Sequence, residues 1–590
     1  MTTCLADLEI LALDCQATGS RPANGCLLEI GWTRFRAADH QGIPLSSITS
    51  HLLKLPIGVE IPQRISRITG IYQEDLHTSS SPDAVWSELF DVARKIAATN
   101  QNQKGKCPTV IHYSRFEEPF IRQLHSRHDS GSVFPFDIFC SHEIAKRLFP
   151  GLPRRGIRAI AGFFGHSAAK LKRCEAHVAA TVVIWRNMVK QLADRYDVCT
   201  PDQLRNWLTE TSAPTRAERT YPMNSHIRLR LPNQSGVYRM LRANGDLLYI
   251  GKAKSLRQRV NSYFQKSTQN PEHILEMLSQ AGDLEVTLTD SAMEAAILEA
   301  DQIKRYSPPY NIALRKKDRN LWFCSRDLRQ FALTPDDLHR HGPLPSKQPL
   351  VSLSSIGDLI ESGRIATIKD KNHTATAVTG IPEEYAPPRD VFQRGFQCFC
   401  QKHRRLLKNK PVWRALITIG TRRWRDNLAA AETVVSAENI SRSGQTRAEI
   451  DETADARDWT PESVSDAIES VIKQCAHWIR RSRWLCLLSE STLAWEANHN
   501  PEKKIIIVFH KGVILERRVV VTGQALPLSP GYKTKFRARQ QNLDLVTYDR
   551  LRVVTTEMRR LISEERRLEL RPGLKSILRY EELSRALKWV

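Results

Sequence analysis

Long hydrophobic runs are missing from this sequence: stretches such as residues 505–509 fall far short of the roughly 18 residues that a membrane-spanning helix requires. Basic residues are missing from the first fifteen positions, where Asp7 and Glu9 stand instead. A secretion signal would begin on a basic segment, so a cytoplasmic location is expected. Cysteine is sparse, 12 in 590 residues and scattered, which excludes a dense disulfide framework. Only Cys398, Cys400 and His403 cluster, three groups where a structural zinc takes four, and they read as ordinary thiols rather than a metal site. No internal repeat is found. Acidic residues are the minority charge, 64 against 87 Lys and Arg, which leaves +23. With 41% apolar residues the chain can still build packed cores, so it is not a disordered basic tail. Its length suggests about four domains, and its charge an anionic partner: nucleic acid, an anionic membrane surface or an acidic protein.

Residues 8–14 and 26–35 are two short apolar runs around a turn and predict a hairpin. Helical periodicity follows at 84–98, 117–127, 138–149 and 175–196, with a strand at 109–112, which predicts an α/β layer domain over residues 1–204. Residues 205–227 are polar and prolyl and read as a linker. A second unit is expected from 228 to 320: runs at 236–241 and 247–250 flank Asn244-Gly245, the strongest short hairpin signal, and helices start near Ser255 and Ser291. Residues 321–459 are weakly patterned, with a polar linker or loop at 430–458. The remainder, 460–590, predicts a small α+β domain: a helix at 463–480, strands at 503–509 and 513–521, and a helix at 547–564. The fold class expected is therefore multi-domain α/β.

The segment from Ser235 to Phe264 carries the chemistry. Strand alternation puts Tyr238 opposite Val237, and Tyr249 stands two residues before Gly251, where a missing side chain admits a backbone or a phosphate. Lys252, Lys254, Arg257 and Arg259 are four cations within eight residues, and Arg259 and Tyr263 share a helix face. A hairpin followed by a solvated basic helix would account for this pattern equally well. In the helix after Ser291, Glu299 has Ala295, Ala296 and Ile303 as its i±3 and i±4 neighbours, so its carboxylate shares an apolar face and needs a metal, a cation or a hydrogen-bond network. Pairing with Arg259 would suffice structurally. Together these are also the parts of a metal-assisted phosphodiester hydrolysis site.

Gly236-Val237-Tyr238, Tyr249-Ile250-Gly251-Lys252-Ala253-Lys254, Arg259, Tyr263-Phe264, Glu294 to Glu299, Ile303-Lys304 and Pro309-Tyr310-Asn311 resemble the GIY-YIG nuclease module of UvrC-type excision-repair endonucleases. The resemblance implies Tyr249 as general base, Tyr238 as support for the nucleophilic water, Lys252, Arg259 and Tyr263 around the phosphate, Asn311 completing the site, and Glu299 holding one Mg²⁺ or Mn²⁺. Phosphate contacts are then expected from Lys254, Arg257, Lys304, Arg315 and Lys316 on damaged double-stranded DNA, and partners of the UvrA/UvrB damage-recognition type are implied.

Residues 8–187 resemble the DnaQ-like 3′–5′ exonuclease domain of the polymerase III proofreading subunit, an RNase H-like fold, through Leu13 to Gly19, Leu28 to Gly31, Ile68 to Ile71, His112 to Glu117 and Glu175 to Thr181. The family holds two metals with four acids and a histidine. Here Asp14 is retained, while Gln16, Glu117, His177 and Lys172 stand at the remaining positions. The loss of carboxylates implies a degenerate domain that binds DNA or a partner. Beyond 320 neither a second acidic set nor a Gly-rich hairpin pair is found. The arrangement resembles the Cho-type UvrC homologue, which implies a single incision 3′ of a lesion. An active 3′–5′ exonuclease with an accessory GIY-YIG module, and a non-catalytic repair scaffold, are the alternatives.

Overall fold

The computed structural model describes the chain except residues 1–2, 40–41, 101–104, 129–130, 168–170, 215–217, 266–268, 313, 315–318, 363–372, 382–384, 436–458, 498–499, 534–542, 574–575 and 589–590. It divides by packing into two units, the first Met1–Leu288 with Ser307–Ile312, the second Thr289–Tyr306 with Ala313–Val590.

The first unit begins with the expected hairpin, β1 (Ile10–Ala17) antiparallel to β2 (Leu27–Phe35), extended by β3 (Thr49–Leu52). α1 (Gln63–Thr69) and α2 (Pro82–Thr99) lead to β4 (Cys107–Ile111), then α3 (Ser114–His128), β5 (Phe136–Cys140), α4 (Ser141–Leu148), α5 (Ile157–Phe163), α6 (Cys174–Tyr196) and α7 (Pro201–Glu210). The five strands form one sheet in the order β3-β2-β1-β4-β5, with β4 parallel to both β1 and β5. Alternation along β1 explains the layers: Ile10 and Ala12 join Val178, Trp185 and Met188 of α6 on one face, whereas Leu11, Leu13 and Cys15 join Val85, Trp86 and Leu89 of α2 on the other. The helix expected over 138–149 is corrected in its first half. Residues 136–140 pair in register with β4, Cys107 opposite Phe136 through Ile111 opposite Cys140, and the helix starts only at Ser141. A short aromatic run that abuts a helix carries no period of its own to mark the junction.

The linker expected over 205–227 is shorter. Trp207 of α7 packs into the amino-terminal core, and Tyr221 and Met223 already belong to the next one. There, after α8 (Ser225–Leu229), β6 (Gly236–Leu241) pairs antiparallel with β7 (Leu247–Ala253) and, after α9 (Leu256–Ser262) and α10 (Glu272–Leu278), with β8 (Asp283–Leu288). Gly245 takes φ +88° in the connecting turn, as the Asn-Gly pair anticipates.

The second unit opens on α11 (Ala292–Tyr306), followed by a small sheet of β9 (Trp322–Cys324), β10 (Phe331–Ala332) and β11 (His341–Leu344). α12 (Gln348–Ser362), α13 (His373–Thr379), α14 (Arg389–Lys402), α15 (Arg404–Asn409), α16 (Val412–Val435) and α17 (Pro461–Leu488) follow. A four-stranded sheet, β14-β13-β12-β15, is built from β12 (Thr492–Ala497), β13 (Asn500–His510), β14 (Val513–Val521) and β15 (Leu568–Arg571), with α18 (Leu545–Ser563) and α19 (Tyr580–Leu587) against it. The boundary expected at 460 does not separate two cores. Val464, Ile468 and Ile472 of α17 pack with Leu353, Phe396 and Leu416, while Trp484, Leu485 and Leu488 of the same helix enter the core under the four-stranded sheet. Residues 436–458, most of the expected linker, lie outside the described residues.

Candidate active site

Antiparallel register brings the two tyrosines together. Tyr238 faces Gly251 and Met240 faces Tyr249 across the β6–β7 ladder, and the Tyr238 and Tyr249 ring centroids lie 6.1 Å apart. Gly251 is required for this: a Cβ there would overlap the Tyr238 ring and come within 2.8 Å of Tyr249. What approaches the glycine closely is thus a pair of rings, not the backbone or phosphate expected from sequence.

Tyr238 is buried, 1% exposed, and its hydroxyl is hydrogen-bonded at 2.9 Å to that of Tyr263. Arg259 donates to Tyr263 Oη at 3.1 Å, its guanidinium 4.9 Å from the ring centroid, as the helical spacing predicts. Burial, with Tyr263 and Tyr249 adding to it, pushes the Tyr238 phenol well above the ordinary tyrosine value, so it stays neutral. Tyr249 and Lys252 are half-buried on β7; Lys254 and Arg257 are exposed.

Asn311 lies in the first unit on the turn that follows α11 in sequence. Its Oδ1 accepts from Ile250 N at 2.9 Å and its Nδ2 donates to Ile250 O at 2.8 Å. Its amide clamps the backbone between Tyr249 and Gly251, with both polar groups bonded to the main chain.

Glu299 stands on α11 in the second unit, half-buried, with Ala295, Ala296 and Ile303 buried around its helix face as expected. Met293 and Ile297 of α11 pack into the carboxy-terminal core, Asp301 pairs with Arg550 at 3.0 Å, and Glu294 and Asp290 with Arg517. Lys304, expected on DNA, is corrected: it is 8% exposed and pairs at 2.7 Å with Asp549, itself buried and shared with Arg319, a structural ion pair out of reach of a phosphate. Arg315 and Lys316 lie outside the described residues.

In the amino-terminal domain the substituted positions also converge. His177 Nδ1 lies 3.1 Å from Asp14 Oδ1 and 3.3 Å from the Gln16 amide. Burial disfavours the His177 cation, but the Asp14 carboxylate outweighs it and its pKa is raised. Glu117 is buried beside Asp14; desolvation first, then Asp14, hold its carboxyl well above the usual range. Asp14 Oδ2 and Glu117 Oε2 have no hydrogen-bond partner among the described residues. Lys172 is exposed, its ammonium 3.5 Å from the Arg67 carbonyl.

Cations on either side of this module are partly consumed in internal ion pairs. Arg147 pairs with Glu143, Arg173 with Glu29, and Lys402, His403 and Arg423 with Glu469, which is 2% exposed and is held down to about 2 by these groups against its burial. Cys398 is exposed and the half-buried Cys400 thiol is pushed up to about 11 by burial. Among the described residues no three metal-binding side chains cluster, and no helix is long and apolar enough to cross a membrane. Gln280 and Glu276, both hydrogen-bonded to the Tyr310 hydroxyl beside Asn311, carried no signal in the sequence.

Known proteins resemble the chain in this region. The family model of the UvrC-like GIY-YIG domain matches residues 234–312. UvrABC system protein C of Psychrobacter sp. (strain PRwf-1) is 48% identical over 103 residues, 17% of either chain, and that of Nitrosomonas eutropha 54% over 87 residues, 15% of this chain and 14% of the relative. The match thus spans about a sixth of the length of these curated relatives. The magnesium-bound GIY-YIG N-terminal endonuclease domain of UvrC from Thermotoga maritima is 38% identical, covering 15% of this chain and all of that one, with a TM-score of 0.14. Residues 234–312 are a GIY-YIG endonuclease domain homologous to that of UvrC.

Proposed function

We propose that this chain makes a single phosphodiester incision in damaged duplex DNA, 3′ of the lesion, in nucleotide-excision repair. The observation that carries it is the joined set Tyr238, Tyr263 and Arg259, with Tyr249 held next to it by the Asn311 clamp. Tyr249, half-buried at the rim of this set, is the general base that takes a proton from water. A phenol of pKa about 10 is a weak base at neutral pH, and Lys252, three residues on in β7, is read as a cation that favours the phenolate once substrate is bound. Tyr238, kept neutral by burial, holds Tyr263, and Tyr263 holds Arg259, whose planar fork meets the phosphoryl oxygen as charge builds on it. Lys254 and Arg257, exposed at the start of α9, contact flanking phosphates.

Glu299 would hold one Mg²⁺; its half-buried carboxylate suits a hard cation that keeps most of its waters. Bound there, the ion would supply charge stabilisation to the transferring phosphoryl group. Partners of the UvrA/UvrB type are proposed from the relatives, which are named as members of a UvrABC system.

The amino-terminal domain we read as a DnaQ-like fold that has lost catalysis. Its sheet order supports the fold, and the His177 ring drawn onto Asp14 supports the loss, since an imidazole of the protein's own occupies the side of the carboxylate that a metal would need. The unpartnered oxygens of Asp14 and Glu117 favour the second reading, a residual exonuclease. Full-length protein with Mg²⁺ and end-labelled lesion-bearing duplex decides between them. A single nick lost in Glu299→Ala is expected; nicking unchanged in that variant sinks the site, and metal-dependent shortening of the strand abolished by Asp14→Ala establishes the exonuclease.

A further inference from the structure

We propose that the amino-terminal domain positions the Tyr249–Gly251 segment of the nuclease module through a chain of contacts: Gly162 packs against the Gln280 amide, Gln280 is hydrogen-bonded to Tyr310, and Asn311, next in the chain, is hydrogen-bonded to Ile250; the proposal rests on the nuclease reading above. The chain ends at Asn311, which grips both backbone groups of Ile250, the residue between Tyr249 and Gly251. Tyr310 precedes it. Its N–H bonds to Leu248 O at 3.1 Å, and its hydroxyl donates to Glu276 Oε1 at 2.7 Å and accepts from Gln280 Nε2 at 2.5 Å. Burial, then the Glu276 charge, push this phenol well above the ordinary value, so it remains a neutral donor.

Gln280 is the pivot. It is 2% exposed, and its Oε1 accepts from Arg242 Nε at 3.2 Å and Nη2 at 3.0 Å. Its Nε2 donates to the Glu276 carbonyl at 3.2 Å as well as to Tyr310. Arg242, equally buried, is fixed in turn by Asp246 at 2.9 Å. Every polar atom of the Gln280 amide is therefore committed, and a displaced amide breaks several bonds together.

The amino-terminal domain closes on this pivot. Gly162 of α5 lies so near that a Cβ would overlap the Gln280 Oε1 and Cδ atoms. Around it, Arg154 N donates to Ser279 Oγ at 2.9 Å, the Arg154 guanidinium pairs with Glu272 at 2.6 Å, Arg158 lies 3.9 Å from Glu276, and Asn244 donates to Gly165 O at 3.0 Å. One domain thus presses a bare backbone against the amide on which the other domain's Tyr310 rests. Gly162, Gln280 and Tyr310 are positioning residues, and their effect is on the rate of cleavage rather than on the hold on DNA.

The test is single-turnover nicking of a lesion-bearing duplex by the full chain with Mg²⁺, alongside duplex affinity by anisotropy. Gly162→Ala and Tyr310→Phe are each expected to slow cleavage about fivefold, the equivalent of one hydrogen bond, with affinity unchanged. In a Gln280→Ala background, where the methyl has room and the amide is gone, Gly162→Ala is expected to cost nothing further. Wild-type rates in Gly162→Ala and Tyr310→Phe, losses that add fully in the double variant, or losses confined to affinity overturn the proposal. Tyr310→Phe, which keeps the ring, and its combination with Gln280→Ala carry the test if Gly162→Ala does not fold. A wild-type chain that makes no nick, or a Glu299→Ala variant that nicks normally, refutes the nuclease reading instead and takes this proposal with it; an inactive Glu299→Ala beside a fully active Gly162→Ala refutes the positioning chain alone.

Discussion

The GIY-YIG core and the amino-terminal domain each gather polar side chains against a sheet, and they leave them in opposite states. In the first, Tyr238, Tyr263 and Arg259 satisfy one another, and Asn311 spends both ends of its amide on one backbone residue. In the second, two buried carboxyl groups each retain an oxygen without a partner among the described residues, and a histidine leans on one of them. A satisfied network is preorganised: its groups already sit where charge will develop, so none is lost to rearrangement. An unsatisfied pair of carboxyls is a cost to folding that only a cation or a proton relieves. The function proposed above makes the first a site kept for chemistry and the second part of a scaffold.

The largest effect that would break this comparison is on cleavage. Tyr249→Phe is expected to lower single-turnover nicking by roughly 100-fold or more, the scale of lost general-base catalysis, whereas Asp14→Ala leaves nicking within about twofold. Equal losses would place both regions in one reaction. Next in size, Tyr238→Phe removes the bond to Tyr263 and loosens Arg259, and should slow nicking by about tenfold with duplex affinity retained.

Stability sharpens the other half. Glu117 has its folded pKa raised above the ordinary 4.5, so its carboxylate costs stability as pH rises from about 4.5 through the folded value. Glu117→Gln should therefore raise stability by about 1–2 kcal/mol at pH 8, and the gain should vanish toward pH 4 in thermal melts. A destabilising effect at pH 8 would mean that the carboxylate is doing something in the folded chain. His177 runs the other way. Its raised pKa contributes stability that is complete below about 6.5 and lost as pH rises through the folded value, a contribution that His177→Gln should abolish. The smallest effect is expected at Thr181, fully buried with a hydroxyl that has no hydrogen-bond partner among the described residues. Thr181→Val should be neutral or stabilising by less than about 1 kcal/mol, and a clear loss would reveal a partner for that hydroxyl.

Legibility in the sequence followed the range of the interactions involved. β6 was read to the residue because Asn-Gly fixes a hairpin locally, and Arg259 met Tyr263 because i,i+4 spacing on a helix is itself a contact. β5 was missed because its identity as a strand comes from β4, which is distant in sequence. Lys304 looked like one more surface cation until Asp549 buried it, and α17 crossed an expected boundary because its two halves serve two cores. Gln16, Glu117, Lys172 and His177 could be picked out from sequence, but not the turn of the His177 ring onto Asp14.

What the sequence by itself determined is the inventory: the two tyrosines, their basic neighbours, Glu299 and Asn311, at spacings that a hairpin and two helices translate directly into chemistry. What only the tertiary structure decided is the state of each group. Tyr238 is neutral because it is buried, Asn311 clamps a strand, and Gly162 matters because Gln280 lies against it from 118 residues away. The physical reason is that residue type and local spacing are written along the chain, whereas desolvation and long-range hydrogen bonding exist only once distant segments have packed.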